Sequence, residues 1–348
     1  MVVKYLPEYR IYNGAMSDLI ITGDVMQIRH MPHKNSDSPI EKIDVDHYRI
    51  KATGEIKEYS HIENRSQSAN SLRQTFNKIK DDINCNVRAD NKNKCLFVTL
   101  TYRQDNGEPM TDPEKLLKDF NRFQTNFRYK WCKAHGYNMP EYISIVEPQS
   151  SGAWHCHVIF IFDKKPFVAN TEINRMWGQG FVKVNALDSV DNVGAYLVAY
   201  LSDIPINEYQ EAINTALKNK TCSIYDLYEP SKNKPKNLVG KKLTIKEKKY
   251  VKGGRTCLYP PNFKIYRHSR GIKKPEKERM PYIDCIKKVS DVGAPLTYSS
   301  NVEIQLSDGF ITTIANRYYN KAKKNTQAII GHDLVDTETG DILIQNYI

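Results

Sequence analysis

The sequence predicts an α+β fold with helices on one face of a mostly antiparallel sheet, and three observations carry that reading. Runs rich in Phe, Val, Ile and Thr at 95–102, 141–147 and 155–162 read as buried strands. Between the first two lies the surest helix of the chain, opened by Asp112-Pro113, with Leu116, Phe120, Phe123, Phe127 and Trp131 stepping along one face. The polar loop 148–154 is short enough to make the second and third runs antiparallel neighbours.

The remaining elements follow in order. Residues 1–64 alternate apolar and polar positions in short runs, with turn signals at Gly23-Asp24 and Gly54, and read as strands or hairpins. A helix follows over 68–83, where Leu72, Phe76, Ile79 and Ile83 recur every three or four residues. Gly136 ends the aromatic-striped helix, whose rings are packing residues rather than a ligand box. After the strand pair come a short helix at 172–177, a turn at 178–180, a strand at 181–184 and a helix at 190–201. Pro235, Gly253-Gly254 and Pro260-Pro261 make the next stretch loop-rich, and Ser307-Asp308-Gly309 and Glu338-Thr339-Gly340 signal hairpins near the end. The organisation expected is a strand-rich region at 1–66, a central domain at 67–210, a basic region at 211–290 and a hairpin region at 291–348.

Composition narrows the function classes. With 348 residues, 40% hydrophobic and 26% charged, the chain is globular and excludes collagen-like, mucin-like and wholly disordered readings. No window approaches the roughly 20 apolar residues of a membrane span, and Lys4, Glu8 and Arg10 interrupt any apolar leader, so a cytoplasmic protein without a membrane partner is expected. Seven cysteines without a C-x-x-C pair suit a reducing compartment and not a cysteine zinc site. The positive charge is local: residues 231–280 hold 17 Lys/Arg against three acids, more than the net +11 of the whole chain. Tyr250, Tyr259, Phe263 and Tyr266 interleave those cations, a mixture suited to nucleic acid, although a charge run is often only a solvated face.

Chemistry concentrates in the middle third. His155 and His157 flank Cys156 at the head of an apolar strand, so a period of two sends both imidazoles to one face. A His-x-His pair alone is more often core or surface. Glu147 closes the preceding strand, however, and two imidazoles with one carboxylate make an open N/O site for Mn²⁺ or Mg²⁺ in phosphoryl transfer. Tyr196 and Tyr200 lie one turn apart on the 190–201 helix, a spacing that by itself means packing.

Taken together, three motifs resemble the HUH endonucleases, and among them the rolling-circle replication initiators of bacterial plasmids, integrative elements and phages. They are Phe97-Val98-Thr99-Leu100-Thr101-Tyr102, Gly152-Ala153-Trp154-His155-Cys156-His157-Val158-Ile159-Phe160 preceded by Glu147, and Tyr196-Leu197-Val198-Ala199-Tyr200-Leu201-Ser202-Asp203. The resemblance implies a ferredoxin-like sheet, of the kind also seen in RNA-recognition domains, with the His-x-His strand at its centre, the tyrosine helix over it, and N- and C-terminal additions. It implies His155, His157 and Glu147 as ligands of Mn²⁺ or Mg²⁺, with Tyr200 first and Tyr196 second as nucleophiles that nick and rejoin single-stranded origin DNA through a 5′-phosphotyrosine. Many members carry a lysine three residues after the tyrosine; Ala199 and Asp203 stand there in this chain. Residues 253–272 look like the segment that follows the catalytic domain in initiators of Gram-positive elements, implying Lys252, Arg255, Arg267 and Arg270 on phosphates and Tyr259 or Tyr266 on bases. With no G-x-x-x-x-G-K-[ST] loop, the helicase and replication machinery are expected from a bacterial host. The alternatives are a relaxase or single-strand transposase of the same superfamily, or a non-catalytic origin-binding protein.

Overall fold

The computed structural model describes residues 2–32, 40–59, 69–104, 107–185, 187, 193–194, 197–198, 204–219, 244–245, 248–251, 254–260, 263–305, 311–323, 329–330, 334–335 and 342–344. Two antiparallel sheets dominate. The N-terminal strands are β1 (Val2–Tyr5), β2 (Met16–Thr22) and β3 (Val25–His30), followed by a small meander of β4 (Ile40–Lys42), β5 (His47–Ile50) and β6 (Ile56–Glu58). Helix α1 (Ala69–Asn86) leads to β7 (Cys95–Thr101), then α2 (Pro113–Gln124), β8 (Glu141–Pro148) and β9 (Trp154–Ile161). Next come α3 (Asn170–Trp177) and β10 (Val182–Asn185), then the short strands β11 (Ile204–Pro205), β12 (Thr244–Ile245) and β13 (Lys248–Val251). After these stand β14 (Tyr266–His268), β15 (Glu276–Pro281), β16 (Leu296–Gln305) and β17 (Ile311–Asn320).

The sheet that carries the histidines has the order β10-β7-β9-β8-β14, so the His-x-His strand is central, as the family resemblance implies. Every pairing within it is antiparallel. Helices cover both of its faces rather than one. Phe123 and Phe127 of the second helix segment pack on Phe160 from one side, with Trp177 of α3 edge-on to Phe123. From the other side α1 inserts Ile79 and Ile83, both fully buried. Of the 190–201 helix, Val193, Gly194, Leu197 and Val198 are helical, and Gly194 N–H donates to Asn84 Oδ1 of α1 at 3.0 Å. A Cβ on Gly194 would collide with the Lys80 carbonyl, so glycine permits this close docking. Tyr196 and Tyr200 lie outside the described residues.

The aromatic helix begins as expected, with the Asp112 side chain accepting from Glu114 N–H and proline at the first position. Residues Thr125–Trp131 then widen into a π-helix. Four residues advance an α-helix by about 400°, so rings spaced by four drift around the axis. The wider turn offsets that drift. Phe123, Phe127, Trp131 and His135 form a continuous stack, with centroid separations of 5.8, 5.5 and 4.2 Å.

The second large sheet has the order β1-β16-β17-β3-β2-β15, joining strands from both ends of the chain. The helix Tyr282–Asp291 buries Cys285 and Val289 against Leu19, Met26 and Ile28 on one face. On the other face α1 presents Lys80, Asp81 and Asn84 to Ile20, Gln27 and Tyr318, and so lies between the two sheets. No helix is long and apolar enough to cross a membrane among the described residues.

Candidate active site

The site is a product of strand register. Antiparallel pairing places Glu147 opposite His155, and His155 opposite Thr101, while Thr99 stands opposite His157. Directly paired residues share a face, so the carboxylate, both imidazoles and both threonine hydroxyls project from one side of three adjacent strands. Trp154, Cys156, Val158 and Phe160 point into the core on the other side, which fixes the register because a slip of one residue would bury the histidines there instead.

Glu147 is buried and both of its oxygens are engaged. His157 Nε2 lies 2.9 Å from Oε2, and Arg255 places a guanidinium nitrogen 3.1 Å from Oε1 while donating to the Pro148 carbonyl at 3.0 Å. Burial pushes this carboxyl upward, but the hydrogen bond and charge of His157, with the charges of Arg255 and His155, prevail and hold it below the usual carboxylate range. The His157 Nδ1 meets the Thr99 hydroxyl at 3.1 Å. With Nε2–H donating to the carboxylate, Thr99 donates to Nδ1; a hydroxyl can reverse that role when Nε2 is needed as a ligand.

His155 is the unsatisfied member. Its Nε2 is buried with no hydrogen-bond partner, and burial, reinforced by the neighbouring His157 and Arg255 charges against Glu147, lowers its pKa to about 4. The ring is therefore neutral near pH 7, the form that ligates a metal. A buried imidazole nitrogen without a partner, beside a second imidazole and a carboxylate, fits a divalent cation by donor chemistry. In the present conformation the rings of His155 and His157 are 6.3 Å apart and Glu147 is ion-paired, and no three His, Cys, Asp or Glu side chains converge as a metal-holding group among the described residues. Ligation would require His157 and Glu147 to give up their mutual hydrogen bond.

Residues 95–204 match a family of replication-associated proteins, the ORF2 type. That segment runs from the first residue of β7 to just past Asp203, and so holds all three motifs. It is consistent with a rolling-circle initiator and supports a role in DNA replication. No curated protein matches the chain.

The expected DNA contacts after the matched segment distribute differently. Tyr259 is fully buried and donates to the Val146 carbonyl, and Tyr266 is buried on β14, donating to Asp82 Oδ2 at 2.6 Å. Neither ring can stack on a base, so both are core residues and not the base contacts expected of them. Arg255 is buried against Glu147 rather than exposed for phosphate. Arg267 is half-buried on β14, Arg270 is exposed, and Lys252 lies outside the described residues. Sequence reasoning missed Thr99 as a partner of His157. Its signal was present in the alternation of Phe97, Thr99 and Thr101, which shares the period of the histidines.

Proposed function

We propose that the protein initiates rolling-circle replication by nicking and rejoining single-stranded origin DNA. The observation that carries this reading is the convergence of Glu147, His155 and His157 on one face of three registered strands within the replication-associated segment. His155, His157 and Glu147 would hold Mn²⁺ or Mg²⁺, which when bound supplies positive charge to a phosphate. Thr99 orients the His157 ring, and Arg255 holds Glu147 at the strand end. A phenol oxygen of Tyr200, or of Tyr196 one turn earlier, forms the new bond to phosphorus as the bond to the 3′ oxygen breaks. The phenol proton is lost and the 3′ oxygen departs to become a hydroxyl, leaving a 5′-phosphotyrosine.

The test is incubation with labelled single strands from the element that encodes the protein, with Mn²⁺ or with EDTA, on denaturing gels. A covalent adduct requiring metal and absent from the Tyr196→Phe, Tyr200→Phe double variant supports nicking. Millimolar Mn²⁺ should also raise the unfolding midpoint of wild type but not of His155→Ala. The ion pair of Arg255 with Glu147 favours a second reading, a metal-free origin-binding protein. Strand binding without adduct or Mn²⁺ stabilisation would select it.

A further inference from the structure

We propose that Phe181 and Lys183, on the edge strand beside the histidines, form a contact site for single-stranded DNA, with the ring stacking on a base and the ammonium on a phosphate. The proposal rests on the nicking reading above and adds where the strand is held. Two rows cross the sheet. Lys183 pairs with Thr99, which pairs with His157. One pair further along, the Phe181 carbonyl accepts from Thr101 N–H at 2.9 Å, and Thr101 pairs with His155, which pairs with Glu147. Side chains alternate along the edge strand, so Phe181 and Lys183 share the histidine face while Val182 and Val184 pack into the core on the other. With strands about 4.8 Å apart, the Lys183 backbone lies roughly 10 Å from that of His157.

Folding explains neither side chain. Phe181 is 76% exposed although the ring is large and apolar, and Lys183 is exposed and makes no ion pair among the described residues. The backbone carrying them is nonetheless fixed. Gly178 turns the chain at φ +67°, a Cβ on Gly180 would strike the Thr101 carbonyl and Arg103 N, and Trp177 Nε1 donates to the Thr101 carbonyl at 2.9 Å. A rigidly mounted exposed ring next to a cation, in line with the histidine face, has the features of a single-strand platform: every base offers a face to stack on, and each phosphate offers a charge. A paired base presents no such face, which selects single strands over duplex. The cation also stands on the site's own face, where Ala199 and Asp203 leave the tyrosine segment without a lysine.

The test is fluorescence anisotropy of the full-length protein with fluorescein-labelled (dT)20 in EDTA, so that metal binding plays no part, alongside a labelled 20-base-pair duplex. Phe181→Ala should weaken single-strand binding about tenfold and leave the salt slope unchanged. Lys183→Ala should weaken it and reduce the slope of log K against log salt by about 0.7. Duplex binding should not change with either variant. In Phe181→Trp the introduced indole is exposed while Trp131, Trp154 and Trp177 are buried, and its emission should be quenched by (dT)20 at near wild-type affinity. Unchanged unfolding midpoints establish that the variants are folded. If both alanine variants bind with wild-type affinity and slope, this site is wrong while the nicking reading stands. If wild type binds no single strand, both fall.

Discussion

Arg255 sets what the carboxylate at the head of the site costs the fold. Glu147 is buried with one oxygen on the guanidinium and the other on His157, so Arg255→Ala leaves a buried charge with half its compensation. Removing one partner of a buried pair costs about 3–5 kcal/mol, and the surviving His157 bond argues for the lower end. Urea unfolding should show a loss of about 3 kcal/mol. Lys274→Ala, which removes a half-exposed partner of the buried Asp82 carboxylate, should cost less, about 1 kcal/mol, because Tyr266 still donates to it and water reaches the lysine. At this scale Glu147, His155 and His157 were legible because a period of two and one tight strand connection suffice to place them. Tyr259 and Tyr266 were not. Rings among cations look like nucleic-acid contacts, yet their hydroxyls find Val146 and Asp82, which are 113 and 184 residues away in sequence.

Among the elements, α1 is the one whose position between two sheets leaves a titration behind. Asp81 faces the second sheet, and burial, offset in part by Lys80 and Lys277, raises its pKa. A carboxyl raised in the folded state stabilises fully only below its unfolded pKa of about 3.9 and loses that contribution as pH rises through the folded value. Asp81→Asn should therefore be more stable than wild type at pH 7, with the gain shrinking as pH falls toward about 4 in thermal melts. The boundaries of α1 and the caps of α2 were readable from apolar spacing and from Asp112-Pro113. The π-segment was not, because Phe123, Phe127 and Trp131 fit a helical stripe equally well under either turn width. Only the stacked rings distinguish them.

For the whole molecule, the segment that matches the replication family is shorter than the unit that builds the site. Arg255, Tyr259 and β14 come after residue 204, and α1 comes before residue 95. A chain truncated after residue 219 loses β14 from the edge of β8 as well as the partner of Glu147. It should lose its cooperative unfolding transition by circular dichroism, whereas an intact chain keeps it. The thiols report the same packing: Cys85, Cys95, Cys132, Cys156, Cys257 and Cys285 are all buried, and burial raises Cys95 and Cys156 to about 12. An aromatic disulfide reagent should modify these six only after denaturation. The sheet that joins the two ends of the chain was the least legible feature, since its pairings link β2 and β3 to strands more than 240 residues later and no local pattern records them.

That joining also orders events during synthesis. The hairpin of β2 and β3 can close as soon as it leaves the ribosome, but its neighbours β15 and β17 are translated only after the whole histidine-bearing sheet. At roughly 5–20 residues per second the wait is about 12–50 s. Throughout that interval both edges of the hairpin are open to pairing with other chains, and β14, which completes the sheet under the site, emerges just before they close. Completion of the site and burial of the first strands are thus nearly simultaneous, and a newborn chain reaches competence only when almost all of it has been made.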